Sequence, residues 1–355
     1  MKIRPGHNSD GIALIVALIA ILVLSALAAG FALSMKVETR LAFNANSETQ
    51  MYWLGRSGVE LARWVLAQER CPYDSLNQIW AGGPGSDCET NGPLAGFSLN
   101  NFYVGGGTVS IKIVDLERKA NINTANGLEI QQALTLMGVD ANDISVVADS
   151  IQDWIGPVGP PRVAGAESDY YQGLDPPYYA KNAPIDDISE LLLVRGVTPE
   201  MYNGGSAPNP SGPTFRNKLG FGTAPGQTPD YPFGLKDVFT PISTGRININ
   251  TADVNVLQMI PGVDAVTAEN IIKLRAGPDG VDGTEDDTPF QNAAAALQSA
   301  GAPALAQQAG NLLTTRSSTF EVHVTAQIGV QKREYVAILF RNSPANIRVL
   351  SFYWK

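Results

Sequence analysis

The sequence predicts an α+β protein: a long N-terminal helix laid against an antiparallel β-sheet, with a large, mostly α-helical domain inserted into the sheet and carrying helix-hairpin-helix-like units. Three observations predict it. Ile12 to Met35 contains no charged side chain, and a helical apolar pattern continues past it. Strand-like segments fall into two groups, one before residue 118 and one after residue 317. The residues between read as helices and loops and contain an internal echo.

The apolar run is long enough to span a bilayer, which takes about 20 residues as a helix. Leu41, Tyr52, Val59, Ala62 and Val65 extend a stripe at helical spacing. One helix from residue 12 to about residue 67 is therefore expected, part in the membrane and part packed on a globular head. A secretory signal peptide carries its small cleavage residue behind the apolar core. Here Gly11 stands in front of it. That order predicts a prepilin-type cut between Gly11 and Ile12, with the helix retained. Lys2 and Arg4 favour a cytoplasmic leader, although Lys36 and Arg40 follow the span and blunt the asymmetry.

Segments 97–104 and 108–115 flank Gly105-Gly106-Gly107 and read as a hairpin. Val109, Ile111 and Ile113 alternate with Ser110 and Lys112, so one face is buried. Segments 319–328, 333–340 and 347–354 read as three more strands, separated by Gly329 and Asn342-Ser343-Pro344. A lone two-stranded ribbon is barely stable, so one sheet split by an insertion is the economical reading. The predicted parts are a leader (1–11), a membrane-spanning stretch (12–35), the helix continuation with the first strands (36–117), the insertion (118–317) and the final strands (318–355).

Within the insertion, Arg118-Lys119-Ala120-Asn121-Ile122-Asn123-Thr124-Ala125 recurs as Arg246-Ile247-Asn248-Ile249-Asn250-Thr251-Ala252. Each copy precedes a helix ending in a Gly-Val turn, at Gly138-Val139 and Gly262-Val263. A third such turn is Gly196-Val197. DNA-binding helix-hairpin-helix units use a Gly-hydrophobic-Gly turn whose N–H groups meet phosphate. Here the second glycine is replaced by Asp140, Asp264 and Thr198, and the carboxylates oppose a phosphate. With 25 Lys and Arg against 34 Asp and Glu, the net charge is −9, poorly suited to phosphate neutralisation. A scaffold role is expected and no nucleic acid; a membrane-anchored periplasmic DNA receptor is the alternative. Residues 203–234, rich in Gly, Pro, Ser and Asn, read as a long irregular loop.

No catalytic constellation is present. His7 and His323 are far apart, and there is no P-loop or nucleophile elbow, so no enzyme is expected. Cys71 and Cys88 flank Gly82-Gly83-Pro84-Gly85; they read as a disulfide in an oxidising compartment or as two thiols in a reducing one. Asp279, Asp282, Glu285, Asp286 and Asp287 crowd one Gly-bent turn. Hard cations take several oxygen ligands, and glycines permit the tight bends. Calcium is the expected ion and a solvated acidic turn the alternative; Phe290 stands where an EF-hand has its closing Glu. Glu167, Asp169 and Asp175, beside Tyr170, Tyr171, Tyr178 and Tyr179, form a second calcium candidate or a tyrosine-packed loop. Asp186-Asp187 reads as helix capping.

The segment from Gly11 to Ala20, then Asp153-Trp154-Ile155, Gly165-Ala166-Glu167 with Tyr170-Tyr171, and Asp187 to Tyr202 resemble, in this order, stretches of the K minor pseudopilins of bacterial type II secretion systems. Most pilins carry a Glu five residues after the cut. Val16 stands there, and the K subfamily also lacks it, avoiding the cost of a charge in the bilayer core. The resemblance implies a pilin-like fold and a structural subunit at the tip of the pseudopilus. It implies assembly with minor pseudopilins I and J to initiate or cap the filament, processing by prepilin peptidase, and calcium in the helical domain. The chain would sit once through the inner membrane with its globular part in the periplasm. A minor pilin of a type IV pilus shares the leader and the tip position.

Overall fold

The computed structural model describes residues 10–89, 92–205, 231–307 and 309–355. Most of the leader and most of the 203–234 loop lie outside the described residues.

Helix α1 spans Asp10–Ala67, about 90 Å at the α-helical rise. Its first half is apolar on every side, with a mean hydropathy of 2.9 over its most apolar window, and none of that window is buried in the protein. A helix apolar all round belongs against lipid or other helices. From residue 47 onward one face turns inward: Met51, Leu54, Val59, Ala62 and Val65 are buried at steps of three or five residues. The expected stripe was off by one position here. Tyr52 is 44% exposed and Leu41 is exposed; the seam runs through Met51 and Gly55 instead.

The sheet contains β1 (Phe102–Val104), β2 (Gly107–Asp115), β3 (Thr319–Ile328), β4 (Gln331–Ser343) and β5 (Asn346–Trp354), antiparallel in that spatial order. β2 pairs β3 from Thr108↔Gln327 to Asp115↔Phe320, so strands flanking the insertion are neighbours. Val104 faces Gly107, leaving Gly105 (φ 52°) and Gly106 (φ 91°) as a two-residue turn with both φ positive, the geometry that suits hairpin twist. The first strand is shorter than expected. Asn101 adopts φ 54° and breaks the extended backbone, while Phe97 leaves the ladder to pack on Trp64, ring centroids 5.4 Å apart.

α1 lies across the face made by Val109, Ile111, Ile113, Phe320, Val322, Val324, Tyr335 and Leu339. Glycines bring the backbone that close. A Cβ on Gly58 would stand 2.4 Å from Val324 Cγ1 and 2.8 Å from Val109 Cγ1. Gly58→Val is therefore expected to destabilise the protein by about 1–3 kcal/mol through overpacking, despite removing a helix-interior glycine. Chemical denaturation of the detergent-solubilised chain measures it, and an unchanged or raised midpoint would refute the tight contact.

The insertion has a separate core running from Ala120 to Leu313. Its first repeat leads into α2 (Gly127–Met137) and α3 (Ala141–Ile155); its second into α4 (Val254–Gln258) and α5 (Ala265–Arg275). Each repeat opens with a two-residue parallel ladder: Ala120–Asn121 against Phe239–Thr240, and Ile247–Asn248 against Leu313–Thr314. Asn126 and Asp253 then cap the following helices. The turn glycines Gly138 and Gly262 have φ 79° and 88°, a region L-residues avoid. The third copy is reduced: Gly196 follows a short 3₁₀ stretch, Ile188–Leu193, and precedes only one turn, Pro199–Asn203.

Candidate functional sites: membrane helix, acidic turn and domain junction

The proposed processing position, Gly11–Ile12, lies on the helical backbone near the start of α1. Val16 sits on the exposed apolar surface that follows.

In the helix-hairpin-helix units the residues replacing the second glycine are helix caps. Asp264 Oδ1 accepts from Thr267 N (2.8 Å), Asp140 Oδ1 from Asn142 N (2.9 Å), and Thr198 Oγ1 from Met201 N (3.2 Å). These caps occupy helix-start N–H groups of the kind that bind anions, with a carboxylate in two of the three.

The acidic turn is bent by Gly277, Gly280 and Gly283, all at positive φ. A Cβ on Gly277 would meet Asp286 O at 2.1 Å, so the turn closes on itself. Asp282 is held by Arg275, Nε to Oδ1 at 2.9 Å and Nη2 to Oδ2 at 2.6 Å. That buried guanidinium also donates to Ile249 O (2.8 Å). Asp286 accepts from Thr284 Oγ1 (2.7 Å) and Asp279 N (2.9 Å), bonds that hold its carboxyl below the usual range. Asp287 accepts from Gly283 N (2.8 Å), and burial pushes its carboxyl up. Asp279 accepts from Val281 N, and Glu285 is exposed. The all-oxygen donor chemistry fits a hard cation. Among the described residues, however, no three Asp, Glu, His or Cys side chains already gather around one point.

At the second candidate the tyrosines dominate. Tyr171 is buried, stacked on Tyr178 (5.3 Å) and edge-on to Trp154 (5.2 Å) and Tyr170 (5.3 Å), with Arg195 over the Tyr170 ring at 4.8 Å. Asp169 and Asp175 face solvent and do not join Glu167 in such a group.

A further polar constellation, invisible in the sequence, joins the two cores. Arg341 on β4 is 2% exposed and sits between Glu69 (1%) and Asp74 (0%). Its Nη1 donates to Glu69 Oε2 at 3.1 Å, and its Nη2 to Asp74 Oδ2 and to Ser317 O. Asp74 also accepts from Ser317 N (2.7 Å). Asp115, at the end of β2, accepts from Ser317 Oγ (2.7 Å), Asn248 Nδ2 (3.1 Å) and Thr251 Oγ1 (2.5 Å). Glu117 accepts from Thr319 N (2.9 Å), Ser318 N and Thr244 N (both 3.2 Å). Four carboxylates are thus buried at the junction, and Arg341 pairs with two of them, Glu69 and Asp74. Burial, then the Asp74 carboxylate, raises Glu69 to about 9; burial, then Asp115, raises Glu117 to about 8. Asn248 and Thr251 belong to the second copy of the repeated motif, which therefore locks the insertion onto the sheet. Cys71 and Cys88 form a disulfide, Cα–Cα 5.6 Å.

A long apolar helix continuing onto an antiparallel sheet defines a pilin-like subunit, here enlarged by a helical insertion. Comparisons with known proteins narrow this. The family described as type II secretion system, protein K, matches residues 96–204, and a helix-hairpin-helix family matches residues 243–282. The type II secretion system protein K of Pseudomonas aeruginosa is 24% identical over 98% of this chain and 93% of its own length. That of Aeromonas hydrophila is 28% identical over 55% of this chain and 61% of its own length. A solved GspK-GspI-GspJ complex from the enterotoxigenic Escherichia coli type 2 secretion system contains a chain of the same fold. It matches with a TM-score of 0.62 and 19% identity, covering 88% of this chain and 98% of that one. These likenesses, which for the Pseudomonas aeruginosa protein run over almost the whole chain, support a minor pseudopilin of a type II secretion system, similar to protein K.

Proposed function

We propose that this protein is the tip subunit of a type II secretion pseudopilus, assembling with minor pseudopilins I and J to initiate or cap the filament for protein export. The observation that carries the reading is the uncovered apolar half of α1 joined without a break to a head bearing a bulky insertion. The helix suits a membrane and then a filament; the insertion would obstruct repetitive packing in a shaft. After prepilin peptidase acts between Gly11 and Ile12, the chain spans the inner membrane once and holds its head in the periplasm. The role is structural and not enzymatic. The aspartate and threonine caps at the hairpin turns favour a scaffold over a DNA receptor.

The test is the mature N-terminus, read by mass spectrometry after expression with and without a prepilin peptidase. A terminus at Ile12 that depends on the peptidase supports the reading. An uncut chain in both samples makes α1 a plain anchor and returns the DNA receptor to consideration.

Calcium at the acidic turn is part of the same proposal. Asp279, Asp286 and Asp287 with loop carbonyls would supply the oxygens, and Arg275 leaves Asp282 the least available. Calcium at a hundredfold excess over its Kd is expected to stabilise the protein by about 2.7 kcal/mol by mass action. Titration calorimetry and chelator-sensitive melting check it; no binding heat together with chelator-insensitive melting rejects it.

A further inference from the structure

The loop closed by the Cys71–Cys88 disulfide is wedged between the two cores. Asp74, inside the loop, reaches Arg341 of the sheet and Ser317 of the returning chain. Its carbonyl accepts from Asn248 Nδ2 of the insertion at 3.2 Å, and its N–H donates to Thr315 O at 2.8 Å. Leu76 O lies where a Cβ on Gly283 of the acidic turn would touch it at 3.5 Å. Gln78 donates to Glu69 Oε1 (3.1 Å) and accepts from Ser75 N (2.9 Å) and Trp80 Nε1 (2.7 Å). Trp80 then packs edge-on to Phe320, centroids 5.2 Å apart.

Regular structure in this loop is confined to one 3₁₀ turn, Ile79–Ala81. Its shape rests on the disulfide and on side chains gathered beside it. Ser86 Oγ lies 3.2 Å from each sulfur and donates to Glu89, which also accepts from Ile79 N and Ser86 N. Cys71 N donates to Glu69 at 2.9 Å, so the same cysteine that anchors the loop aims a ligand of Arg341. The core of the insertion, by contrast, draws no residue from the loop.

We propose that the Cys71–Cys88 pair is a redox latch: its oxidation docks the helical insertion onto the sheet, and its reduction frees the junction while leaving the insertion folded. Forming the bond removes two electrons and two protons from the thiols. A disulfide-bearing oxidant accepts them and leaves as a dithiol; a dithiol reductant reverses the exchange. Opening the ring restores chain entropy to the loop. The loop then no longer presents Asp74 to Arg341, Ser317 and Asn248 together. Resting on the reading that the head is exported, the latch sets before assembly and withholds a docked tip from a chain still in a reducing compartment.

Amide hydrogen exchange on the full-length chain in detergent tests this, comparing the oxidised protein, the same sample with a dithiol reductant, and the Cys71→Ser/Cys88→Ser double variant. Mass spectrometry confirms the state of the bond. Reduction is expected to speed exchange about tenfold or more at Ser317, Asn248 and Thr244, whose N–H groups donate at the junction, as a local opening. Ile130 and Ile271, in the insertion core, keep their protection. Unchanged exchange at Ser317 and Asn248 in reduced protein overturns the latch. So does equal loss at Ile130 and Ile271, which would make the disulfide a general staple. Neither result depends on where the cut in the leader falls, so failure here leaves the pseudopilin reading intact.

Discussion

Arg341→Met is expected to destabilise the protein by about 3–5 kcal/mol, because removing one partner of a buried ion pair strands the charge that remains. Arg341 bridges Glu69 and Asp74, caps the Ser317 carbonyl and lies over the Phe320 ring at 4.8 Å. Methionine keeps the apolar stem but none of the donors. Asp74 Oδ1 is already buried with no hydrogen-bond partner among the described residues, so its carboxylate has little else to turn to. The companion variant Glu69→Gln separates two accounts of the cluster. With the Glu69 carboxyl protonated near neutral pH, the amide is a close replacement and costs under about 1 kcal/mol, the scale of one neutral hydrogen bond. Urea unfolding of both variants, with the double variant to close the cycle, measures the coupling. Equal losses for Arg341→Met and Glu69→Gln would show that Glu69 is ionised and paired.

Stability is expected to fall as pH rises from about 4.5 to about 9. Glu69 and Glu117 carry folded values of about 9 and about 8 against an ordinary 4.5, burial being the main cause in each. A raised acid holds its proton in the folded state after the unfolded chain has released it. Its stabilising contribution is complete below 4.5 and is lost as pH passes through about 8 and about 9. His323, raised by its hydrogen bond to Glu321 and by Glu334, works in the same direction: its contribution is complete below 6.5 and fades above it. The melting temperature across this range, in wild type and in Glu69→Gln, reads the effect. The variant flattens the upper part of the slope. A stability that climbs between pH 7 and pH 9 would contradict the protonated junction.

The long helix, the split sheet and the repeated motif were legible because each carries a pattern: a period of 3.6 in α1, a period of 2 in β2 and β3, and the Asn-Ile-Asn-Thr-Ala echo in the insertion. Where local chemistry competes, the pattern misleads. Asn101 at positive φ makes β1 start late, at Phe102, and close packing at Gly55 shifts the buried seam from Tyr52 to Met51. The aspartates after the turn glycines oppose phosphate by their charge, and the structure adds that they cap helices. The junction lay beyond reach. Arg341 and Asp74 are separated by 267 residues, and neither stands in a patterned segment that predicts a buried charge. The acidic turn was legible as composition only. That Asp282 is committed to Arg275 depends on α5 ending just there, a signal present in the basic last turn of that helix.

The measurement that tests the central claim most directly is reconstitution of the tip. The full-length chain, coexpressed with prepilin peptidase and the I and J minor pseudopilins of its own system, is purified in detergent through a tag on this chain. Size exclusion with mass determination then reads the composition at about 10 µM, well above the dissociation constants of stable assemblies. The account predicts one species containing all three subunits, with this chain beginning at Ile12. Elution of a processed, folded chain apart from I and J would contradict it.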